Sequence, residues 1–271
     1  MQKTHLLAAI SLCLALLPGA AWSQFDEPGG KPSMGQPGKD VIWIPTPQPL
    51  VDQMLDLAKL TPEDRLVDLG SGDGRLVITA AKRGATARGI EFNHELVELS
   101  RRSARGEGVA SRATFERADI FKSDFSDATV VTLFLLPSVN LRLRPTLLGM
   151  RPGTRIVSNS FDMADWRPDE YVPSVQTCPG PCGVYLWLVP ARVAGIWAMG
   201  NKLLVLSQTF QKLEGVMREG ERSTPIWDGR LRGTEIVFTI DDERYVGHVD
   251  GREMHGTIEG GEPWRATFLK P

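Results

Sequence analysis

A glycine-rich bend between an apolar strand and a helix is the feature that most constrains the fold of this chain. The apolar segment ends at Asp68, glycine occupies positions Gly70, Gly72 and Gly74, and a helical pattern opens at Arg75. Glycines turn the chain without Cβ atoms in the way, and the free N–H groups of a helix start face whatever lies over the turn. The sequence therefore predicts a nucleotide-cofactor site on an α/β sheet.

The spacing of the glycines separates two kinds of nucleotide site. A dinucleotide-binding fingerprint has glycine at the first, third and sixth positions of the bend. Here the fifth position is Gly74 and the sixth is Arg75. The spacing therefore disfavours a nicotinamide-dependent oxidoreductase, which remains open as an alternative on a similar sheet.

Apolar strands alternate with amphipathic helices over more than half of the chain. The pattern predicts helices at Pro49–Leu60, Leu76–Lys82, His94–Arg105 and Leu141–Met150, and strands at Arg65–Leu69, Ala87–Glu91, Thr114–Arg117, Val130–Leu136 and Thr154–Ser160. A closing hairpin is predicted at Val172–Val175 and Val184–Val189. Strands separated by helices in this rhythm form a parallel sheet that is covered on both faces.

Acidic residues stand where three of the predicted strands end. Asp68 is the last residue but one of its strand, Glu91 is the last residue of the next, and Asp119 follows the third strand closely. Ligands on sheets of this class bind beyond the carboxyl ends of the strands. We therefore expect these three carboxylates to surround one ligand.

At these residues the chain resembles the class I, seven-strand S-adenosylmethionine-dependent methyltransferases. The first motif of that superfamily has the form D-L-G-S/C-G-x-G, which residues 68–74 match, and its second strand ends in a ribose-binding acid, as Gly89-Ile90-Glu91 does. The resemblance extends from about Ile44 to Val189. It implies a doubly wound, mostly parallel seven-strand sheet of the Rossmann-like methyltransferase type.

Within this superfamily the chain most resembles the non-SET protein-lysine methyltransferases. That group includes the nucleosomal histone-core enzyme and the mitochondrial enzymes that act on ATP synthase and the adenine nucleotide translocase. The motifs that carry this likeness are Pro45-Thr46-Pro47 ahead of a helix and the segment Gly153–Phe161, in addition to the glycine bend. They imply a protein lysine side chain as the methyl acceptor.

The resemblance also implies which residues hold the cofactor, S-adenosyl-L-methionine. The backbone of the glycine bend would approach the cofactor closely, at Gly70, Ser71, Gly72 and Gly74. Asp68 or Asp73 would face the ammonium group of the cofactor, and Glu91 would accept from its ribose hydroxyls. Asp119 would accept from the adenine amino group, and Thr46 would lie over the cofactor in a lid. A charge-assisted bond suits the ammonium group. No metal is expected at this site.

Each acidic residue also has a structural interpretation. Asp68 could cap the turn that follows it, and Asp73 could be the N-cap of the next helix. Glu91 could pair with Arg65 or Arg88 on the surface. Their spacing and strand-end positions together favour the cofactor site.

The segment after the fourth strand departs from many amine methyltransferases. Those enzymes place Asn/Asp-Pro-Pro-aromatic there, whereas this chain has an apolar segment at Phe134–Pro137. The usual acceptor that orients the amine is missing, and Asn140 or Asn159 could replace it or be ordinary cap residues. The catalytic residue is therefore not identified. The same segment supports an alternative, an exported non-enzymatic binding protein with a degenerate methyltransferase fold.

The first 23 residues have the pattern of a secretory signal peptide. Lys3 precedes an apolar run at Leu6–Leu17, and small residues near Ser23 suit cleavage before Gln24. The run is short for a bilayer span, although an uncleaved anchor remains an alternative. We expect an exported chain, periplasmic or secreted, with no stable membrane span after cleavage.

The charge balance bears on the class of partner. The whole chain has 31 basic and 33 acidic residues, and removal of residues 1–23 takes away only the basic residue Lys3. The mature chain would then carry 30 basic and 33 acidic residues, which gives a net charge of −3. This balance argues against nucleic acid as the main partner. Nothing in the sequence indicates the oligomeric state.

Two cysteines remain after signal cleavage. Cys178 and Cys182 enclose Pro-Gly-Pro, and in an oxidising compartment so close a pair favours a small structural disulfide. Inert thiols are the next interpretation. A metal site lacks partners, because His248 and His255 lie far along the chain.

The chain divides into four parts by pattern. A signal peptide at residues 1–23 precedes a flexible leader rich in glycine and proline at 24–40, and the methyltransferase domain follows at 41–190. Residues 191–271 contain short alternating segments split by glycine and acidic residues, which predict an antiparallel meander, a small open sheet or half barrel. Its aromatic residues Trp197, Phe210, Trp227, Phe238 and Trp264 are expected in its core.

Overall fold

The computed structural model describes residues 33–36, 38–40, 42–175 and 182–271. The predicted signal peptide and Cys178 lie outside the described residues, so the signal, its cleavage and the disulfide remain predictions. None of the helices in the described ranges is long and apolar enough to cross a bilayer.

A seven-stranded sheet forms the first half of the structure. Its elements are α1 (Gln48–Leu57), β1 (Arg65–Leu69), α2 (Arg75–Lys82), β2 (Thr86–Glu91), α3 (His94–Gly106), β3 (Ala113–Arg117), β4 (Val130–Leu133), α4 (Pro137–Leu148), β5 (Arg155–Asn159), β6 (Glu170–Pro173) and β7 (Gly183–Leu188). The strand order is β3-β2-β1-β4-β5-β7-β6. Strands β1 to β5 are parallel, and β7 runs antiparallel to β5 and β6. The predicted doubly wound, mostly parallel sheet is confirmed.

The strand order places the ligand-binding edge. The chain moves outward from β1 to β3 on one side and then returns to β4 on the other side of β1. Such a reversal leaves a crevice at the carboxyl ends of β1 and its neighbours, because the connections leave in opposite directions. The glycine bend at Gly70–Gly74 lies directly after β1, at this crevice.

Two apolar layers cover the sheet. On one face, side chains of α1, α2 and α3 such as Val51, Val77 and Val97 pack against the strands. On the other face, Leu143 and Leu147 of α4 pack in a second buried cluster. The short, continuously buried strand β4 between these layers is the pattern of a parallel strand that is covered on both faces.

The C-terminal half is a closed barrel of eight antiparallel strands. These are β8 (Gly195–Met199), β9 (Lys202–Thr209), β10 (Lys212–Glu219), β11 (Arg222–Arg232), β12 (Glu235–Ile240), β13 (Glu243–Asp250), β14 (Glu253–Ile258) and β15 (Pro263–Lys270). Strand β15 pairs with β8, and β9 pairs with β10, so the ring closes. The antiparallel meander is confirmed, but the open sheet or half barrel is wrong, since every edge strand finds a partner.

The barrel interior holds most of the expected aromatic core. Trp197, Phe238 and Trp264 are buried, and Phe238 stacks on Tyr245 at 4.9 Å between ring centroids. The expectation is wrong for Trp227, which is 62 % exposed, and for Phe210, which is partly buried and packs outward against the core of the seven-stranded sheet. Trp227 stands next to a register shift between β11 and β12, where the strand no longer keeps its regular alternation.

Candidate functional site

The glycine bend is held by the end of the neighbouring strand. The backbone N–H groups of Gly70 and Ser71 both donate to the carbonyl oxygen of Ile90, at 2.9 and 3.2 Å. Gly70 and Gly72 have φ values of 78° and 54°, a region that residues with a Cβ atom rarely adopt. The bend therefore requires glycine, and it joins the end of β1 to the end of β2.

Glu91 at the end of β2 points toward this bend. Its Oε2 accepts from the backbone N–H of Gly72 at 3.0 Å, and its Oε1 accepts from that of Asn93 at 2.8 Å. Burial raises the pKa of the Glu91 carboxyl, although the hydrogen bonds from these N–H groups oppose the shift. The prediction that places Glu91 beside the bend thus agrees with the geometry.

The surface-pair interpretation of Glu91 is wrong. Arg65 pairs with Asp127 at 3.0 Å, and Arg88 lies 3.6 Å from Glu116. Both arginines therefore have other partners, and Glu91 is left facing the cavity.

Asp68 is the most deeply buried acid of the site. Its side chain is 7 % exposed, and its Oδ1 accepts from the hydroxyl of Thr132 at 2.7 Å. Burial raises the pKa of the Asp68 carboxyl to about 7, and the nearby carboxylates of Glu91 and Asp73 add to the rise. Near neutral pH this carboxyl is poised to gain or lose a proton when a cation binds beside it.

Asp73 has a partner already. Its two carboxylate oxygens accept from the guanidinium of Arg75, at 3.0 Å from Nε and 2.6 Å from a terminal nitrogen. Arg75 also donates to the carbonyl oxygen of Thr46 at 2.9 Å. Gly74, not Asp73, occupies the N-cap position of α2, although the Oδ1 of Asp73 accepts from the N–H of Arg75, the first residue of this helix, at 3.3 Å. The pair also connects the bend to the chain segment above it.

A short hairpin lies over the cavity, and we call the described residues between 33 and 46 the strap. The N–H of Gly35 donates to the carbonyl of Trp43 at 2.8 Å, and the N–H of Trp43 donates to that of Gln36 at 3.1 Å. A Cβ atom on Gly72 would lie 2.5 Å from Nε1 of Trp43, so the indole packs directly on the bend. The sequence pattern of a leader extending to residue 40 did not predict these contacts.

Asp119 lies beyond β3 and binds the strap. Its Oδ2 accepts from Nζ of Lys39 at 2.7 Å, and its Oδ1 accepts from the N–H of Phe121 at 3.1 Å. The Lys39 ammonium lowers the pKa of the Asp119 carboxyl. The same ammonium lies 5.3 Å from the ring centre of Phe92 and 5.9 Å from that of Phe121. Lys39 thus binds the Asp119 carboxylate, which the resemblance assigns to the adenine amino group of the cofactor.

These groups surround one cavity of about 250 Å³. All predicted cofactor residues except Gly74 line it, namely Thr46, Asp68, Gly70, Ser71, Gly72, Asp73, Glu91 and Asp119. Gly74 is required by packing instead, because a Cβ atom there would lie 2.6 Å from the ring of Phe115. Ligand sites commonly enclose roughly 300 Å³ or more, so the strap leaves this cavity slightly small.

The side of the cavity next to β4 and β5 is apolar. The rings of Phe134 and Phe161 stack with centroids 6.2 Å apart, and Leu136, Val139 and Ile44 complete this wall. Leu136 and Ile44 are 44 % and 46 % exposed, so the wall reaches the mouth of the cavity.

Neither asparagine proposed for orienting an amine lines this wall. Asn140 is buried, and its Nδ2 donates to the carbonyl oxygens of Phe161 and Asp162 at 3.4 and 3.3 Å. Asn159 is buried as well, and its Oδ1 accepts from the hydroxyl of Ser160 at 2.8 Å. The Asn140 side chain thus holds the backbone after β5, whereas that of Asn159 bonds the side chain of the next residue.

The donor set fits the cofactor that the resemblance implies. Carboxylates stand at the ends of three adjacent strands, and the backbone of the glycine bend lines the cavity between them. Within the described part of the chain, the Ser71 hydroxyl is buried without a hydrogen-bond partner, as expected of a group that a ligand satisfies. The ammonium group, the ribose hydroxyls and the adenine amino group of S-adenosylmethionine would each have an acceptor among these residues.

Four residues of the site were not predicted from the sequence. Lys39 and Trp43 belong to a segment whose contacts with the cavity join it to distant parts of the sequence. Ser100 is buried in α3 and donates to the carbonyl of Gly72 at 3.0 Å, and Asn93 caps α3 with its side chain. The motif Asn93-His94-Glu95 after a strand could have predicted Asn93 as the N-cap of a helix, since asparagine is a favoured N-cap residue.

Comparisons with known proteins agree with this geometry. The ANTKMT methyltransferase domain family matches residues 68–170. A protein-lysine N-methyltransferase from Saccharolobus islandicus is 42 % identical over 135 residues, which is 49 % of this chain and 84 % of that protein. The adenine nucleotide translocase lysine N-methyltransferase from Mus musculus is 38 % identical over 120 residues, 44 % of this chain and 52 % of its own length.

A solved structure gives the same fold. An RNA methyltransferase from Salinibacter ruber, in complex with S-adenosyl-L-homocysteine, is 48 % identical with a TM-score of 0.52. The match covers 55 % of this chain and 96 % of that one. The fold, the strand-end carboxylates and these relatives together lead to one conclusion. The chain belongs to the family of S-adenosylmethionine-dependent methyltransferases that includes the protein-lysine N-methyltransferase of Saccharolobus islandicus.

Proposed function

We propose that this chain transfers the methyl group of S-adenosyl-L-methionine to the ε-amino group of a lysine in a protein. The likeness to a protein-lysine N-methyltransferase over 84 % of that relative's length carries the proposal. The apolar wall beside β4 and β5 supports it, because this wall suits the aliphatic stem of a lysine side chain.

The sheet order gives the direction in which the cofactor lies. Glu91 would hold the ribose, Asp119 the adenine amino group and Asp68 the ammonium group, so the cofactor runs from β3 across β2 to β1. When bound, the cofactor supplies an activated methyl group. Phe134 and Phe161, which line the cavity on the side of β4 and β5, would then contact the methyl acceptor.

The acceptor amine must arrive uncharged, because an ammonium has no lone pair to attack with. Burial against Phe134, Phe161 and Val139 disfavours the charged form and so lowers the pKa of a lysine that enters the cavity. Correct placement alone can supply on the order of 7–11 kcal/mol of the barrier, so the reaction needs no dedicated base.

An RNA acceptor is the second candidate, and the Salinibacter ruber enzyme is the reason to test it. RNA binding is driven by cations that neutralise phosphates. Of the residues that line the cavity, Lys39 and Arg75 are the cations, and they pair with Asp119 and Asp73. This pairing favours the protein acceptor.

Methyl transfer from tritiated S-adenosylmethionine tests both acceptors in one assay. The purified chain is incubated with a library of lysine-centred peptides, with the same library carrying arginine for lysine, and with total RNA. Glu91→Gln serves as the cofactor-binding variant and Glu95→Gln, in the first turn of α3, as its matched control. We expect label only in lysine peptides, lost in Glu91→Gln alone. Label in RNA and none in peptides would overturn the assignment.

We further propose that the mature enzyme works outside the cytoplasm. The signal-like segment at residues 1–23 supports this, while the origin of the cofactor in the cytoplasm opposes it. Cell fractionation, with determination of the mature N-terminus and of the redox state of Cys178 and Cys182, tests the proposal. An exported chain that starts near Gln24 with an oxidised pair is expected. An uncleaved chain in the cytoplasm would contradict it.

A further inference from the structure

The segment that follows β5 links the cavity to the barrel. We call residues 161–169 the post-β5 loop. Its first residue, Phe161, lines the cavity and stacks on Phe134. Its last residue, Asp169, pairs with Arg230 of the barrel at 3.4 Å. One stretch of nine residues therefore forms part of the acceptor wall and part of the contact between the two halves of the structure.

At the cavity end, the position of Phe161 is set by its backbone. The hydroxyl of Ser158 donates to the carbonyl of Phe161 at 2.6 Å, and the amide of Asn140 donates to the same oxygen at 3.4 Å. Ser160, immediately before it, has a φ of 64°, an unusual backbone for a residue other than glycine. The backbone of Phe161 is therefore anchored from β5 and α4, and the rest of the loop needs further contacts along its length.

At the barrel end, the turn between β9 and β10 holds the loop. The ring of Phe210 stacks on Trp166 with centroids 6.1 Å apart, and the guanidinium of Arg144 lies 5.3 Å from the Phe210 ring centre. Gln211, the next residue, donates from Nε2 to the carbonyl of Arg167 at 2.6 Å. Arg144 also donates to the carbonyl of Met163 at 3.0 Å.

Phe210 adopts this position against its backbone preference. Its φ is 55°, in the left-handed region that a bulky residue rarely occupies. Glycine, asparagine or aspartate would be expected in such a turn. Because the ring packs between Trp166 and Arg144, contacts outside the barrel hold the strained turn in place.

We propose that the β9–β10 turn is a positioning element for the methyl acceptor, with Phe210 and Gln211 as its positioning residues. The turn fixes the post-β5 loop, and the loop sets the place of Phe161 in the acceptor wall. The glycine bend and the strand-end carboxylates do not touch this turn, so cofactor binding does not depend on it. This gives the barrel a role in acceptor binding, and it rests on the proposed lysine methyltransferase activity.

Phe210→Ala in the full-length chain tests the proposal by three measurements. Hydrogen exchange of amides 161–169 should accelerate, and the KM for a lysine peptide from the library should rise by roughly tenfold, since small misplacements near reacting groups are costly. The Kd for S-adenosylhomocysteine, measured by calorimetry, should not change. Phe210→Tyr keeps the ring and should restore the wild-type exchange and KM.

Trp227→Ala is the matched control, because Trp227 is an exposed aromatic residue of the same barrel. It should alter neither the loop exchange nor the KM. Unchanged exchange in Phe210→Ala, or an equal loss of acceptor and cofactor binding, would overturn the proposal. If no peptide is methylated even by the wild type, the lysine assignment fails, while the exchange measurement still decides whether the turn holds the loop.

Discussion

At the scale of single residues, the site is governed by carboxylates whose ionisation differs with their surroundings. Burial raises the pKa of Asp68 to about 7, whereas the ammonium of Lys39 lowers the pKa of Asp119. Two acids of one type in one cavity therefore respond differently to a ligand. Each response gives a test of its own.

Cofactor affinity should depend on the ionisation of Asp68. Only the ionised carboxylate forms a charge-assisted bond to an ammonium group. Below the Asp68 pKa of about 7, the affinity for S-adenosylhomocysteine should therefore fall by up to about tenfold per pH unit, until it levels off at the affinity of the protonated form. Calorimetry below pH 7, in buffers of different ionisation enthalpy, should show release of a proton on binding.

Asp68→Asn separates this carboxyl from the others. The variant should bind S-adenosylhomocysteine roughly 10- to 100-fold more weakly at neutral pH, because a charge-assisted hydrogen bond contributes about 1.5–3 kcal/mol. Its affinity should no longer follow pH in the acidic range. Asp127→Asn, at an exposed pair with Arg65, should behave like the wild type. A wild-type affinity that is flat with pH would place the ammonium group away from Asp68.

Removal of Lys39 should strengthen cofactor binding. The adenine amino group and the Lys39 ammonium would use the same carboxylate, Asp119, so the ion pair has to open first. Partly exposed pairs contribute roughly 0.2–1 kcal/mol, which corresponds to a gain in affinity of about 1.5- to 5-fold in Lys39→Met. The gain should shrink at high salt.

Lys122→Met is the control for Lys39→Met. Lys122 is exposed and acts on Asp119 through its charge, without the direct bond that Lys39 makes. Titration with S-adenosylhomocysteine compares the two variants. Weaker binding in Lys39→Met would show that the lysine belongs to the bound state instead of competing with it.

At the scale of elements, the β1–α2 bend and the strap form one contact surface. Gly72 has a φ of 54°, and Trp43 lies where its Cβ atom would be. Gly251 offers a matched comparison, since it has a φ of 57° and nothing near the position of its Cβ atom. The two glycines share one backbone strain and differ in the contact with the strap.

Alanine at either position should lower the free energy of unfolding by about 1–2 kcal/mol, the cost of a left-handed residue with a Cβ atom. Gly72→Ala should in addition weaken S-adenosylhomocysteine binding, because Trp43 has to move. Urea unfolding and calorimetry measure the two effects. Equal cofactor affinity in Gly72→Ala and Gly251→Ala would mean that the strap does not shape the cofactor site.

Elements with local signals were predictable, and elements with non-local causes were not. Strand β1 was predicted with its observed bounds, because its run of apolar residues and the glycines that follow it are both local features of the sequence. The predicted strand Val130–Leu136 ends early at Leu133, since the last residues leave the sheet to line the cavity. Pro137 then starts α4 at its first position, where proline is favoured.

The closed barrel could not be predicted from local sequence signals. Strand β10 gives only a weak local signal, because its pattern mixes Gly215 with exposed charged residues. Closure depends on pairings between segments far apart in the chain, such as β15 with β8, and no single segment carries that information. The contacts of the strap could not be predicted for the same reason. The pair Lys39–Asp119, for example, joins residues 80 positions apart.

At the scale of the whole molecule, the cofactor site should weaken the ligand-free fold at neutral pH. Asp68, Glu91 and Asp169 are buried carboxyls with raised pKa values. A raised pKa contributes stability that is complete below the unfolded value and is lost as pH rises through the folded value. For Asp68 this window runs from 3.8 to about 7. At about 1.36 kcal/mol per unit, the loss is on the order of 4 kcal/mol.

The free energy of unfolding of the ligand-free chain, measured with urea, should therefore fall between about pH 4 and pH 7. A loss on the order of 4 kcal/mol is a large share of the roughly 5–15 kcal/mol that stabilises a typical fold. Carboxyls with lowered pKa values, such as Asp119, act in the opposite direction only at more acidic pH, and their exposure makes them weak. Asp68→Asn should remove most of the decline. Saturating S-adenosylhomocysteine should reverse it, since the ligand favours the ionised carboxyl. A midpoint that rises with pH in the ligand-free wild type would show that Asp68 is not buried as described, and the assignment of its role toward the ammonium group would fail with it.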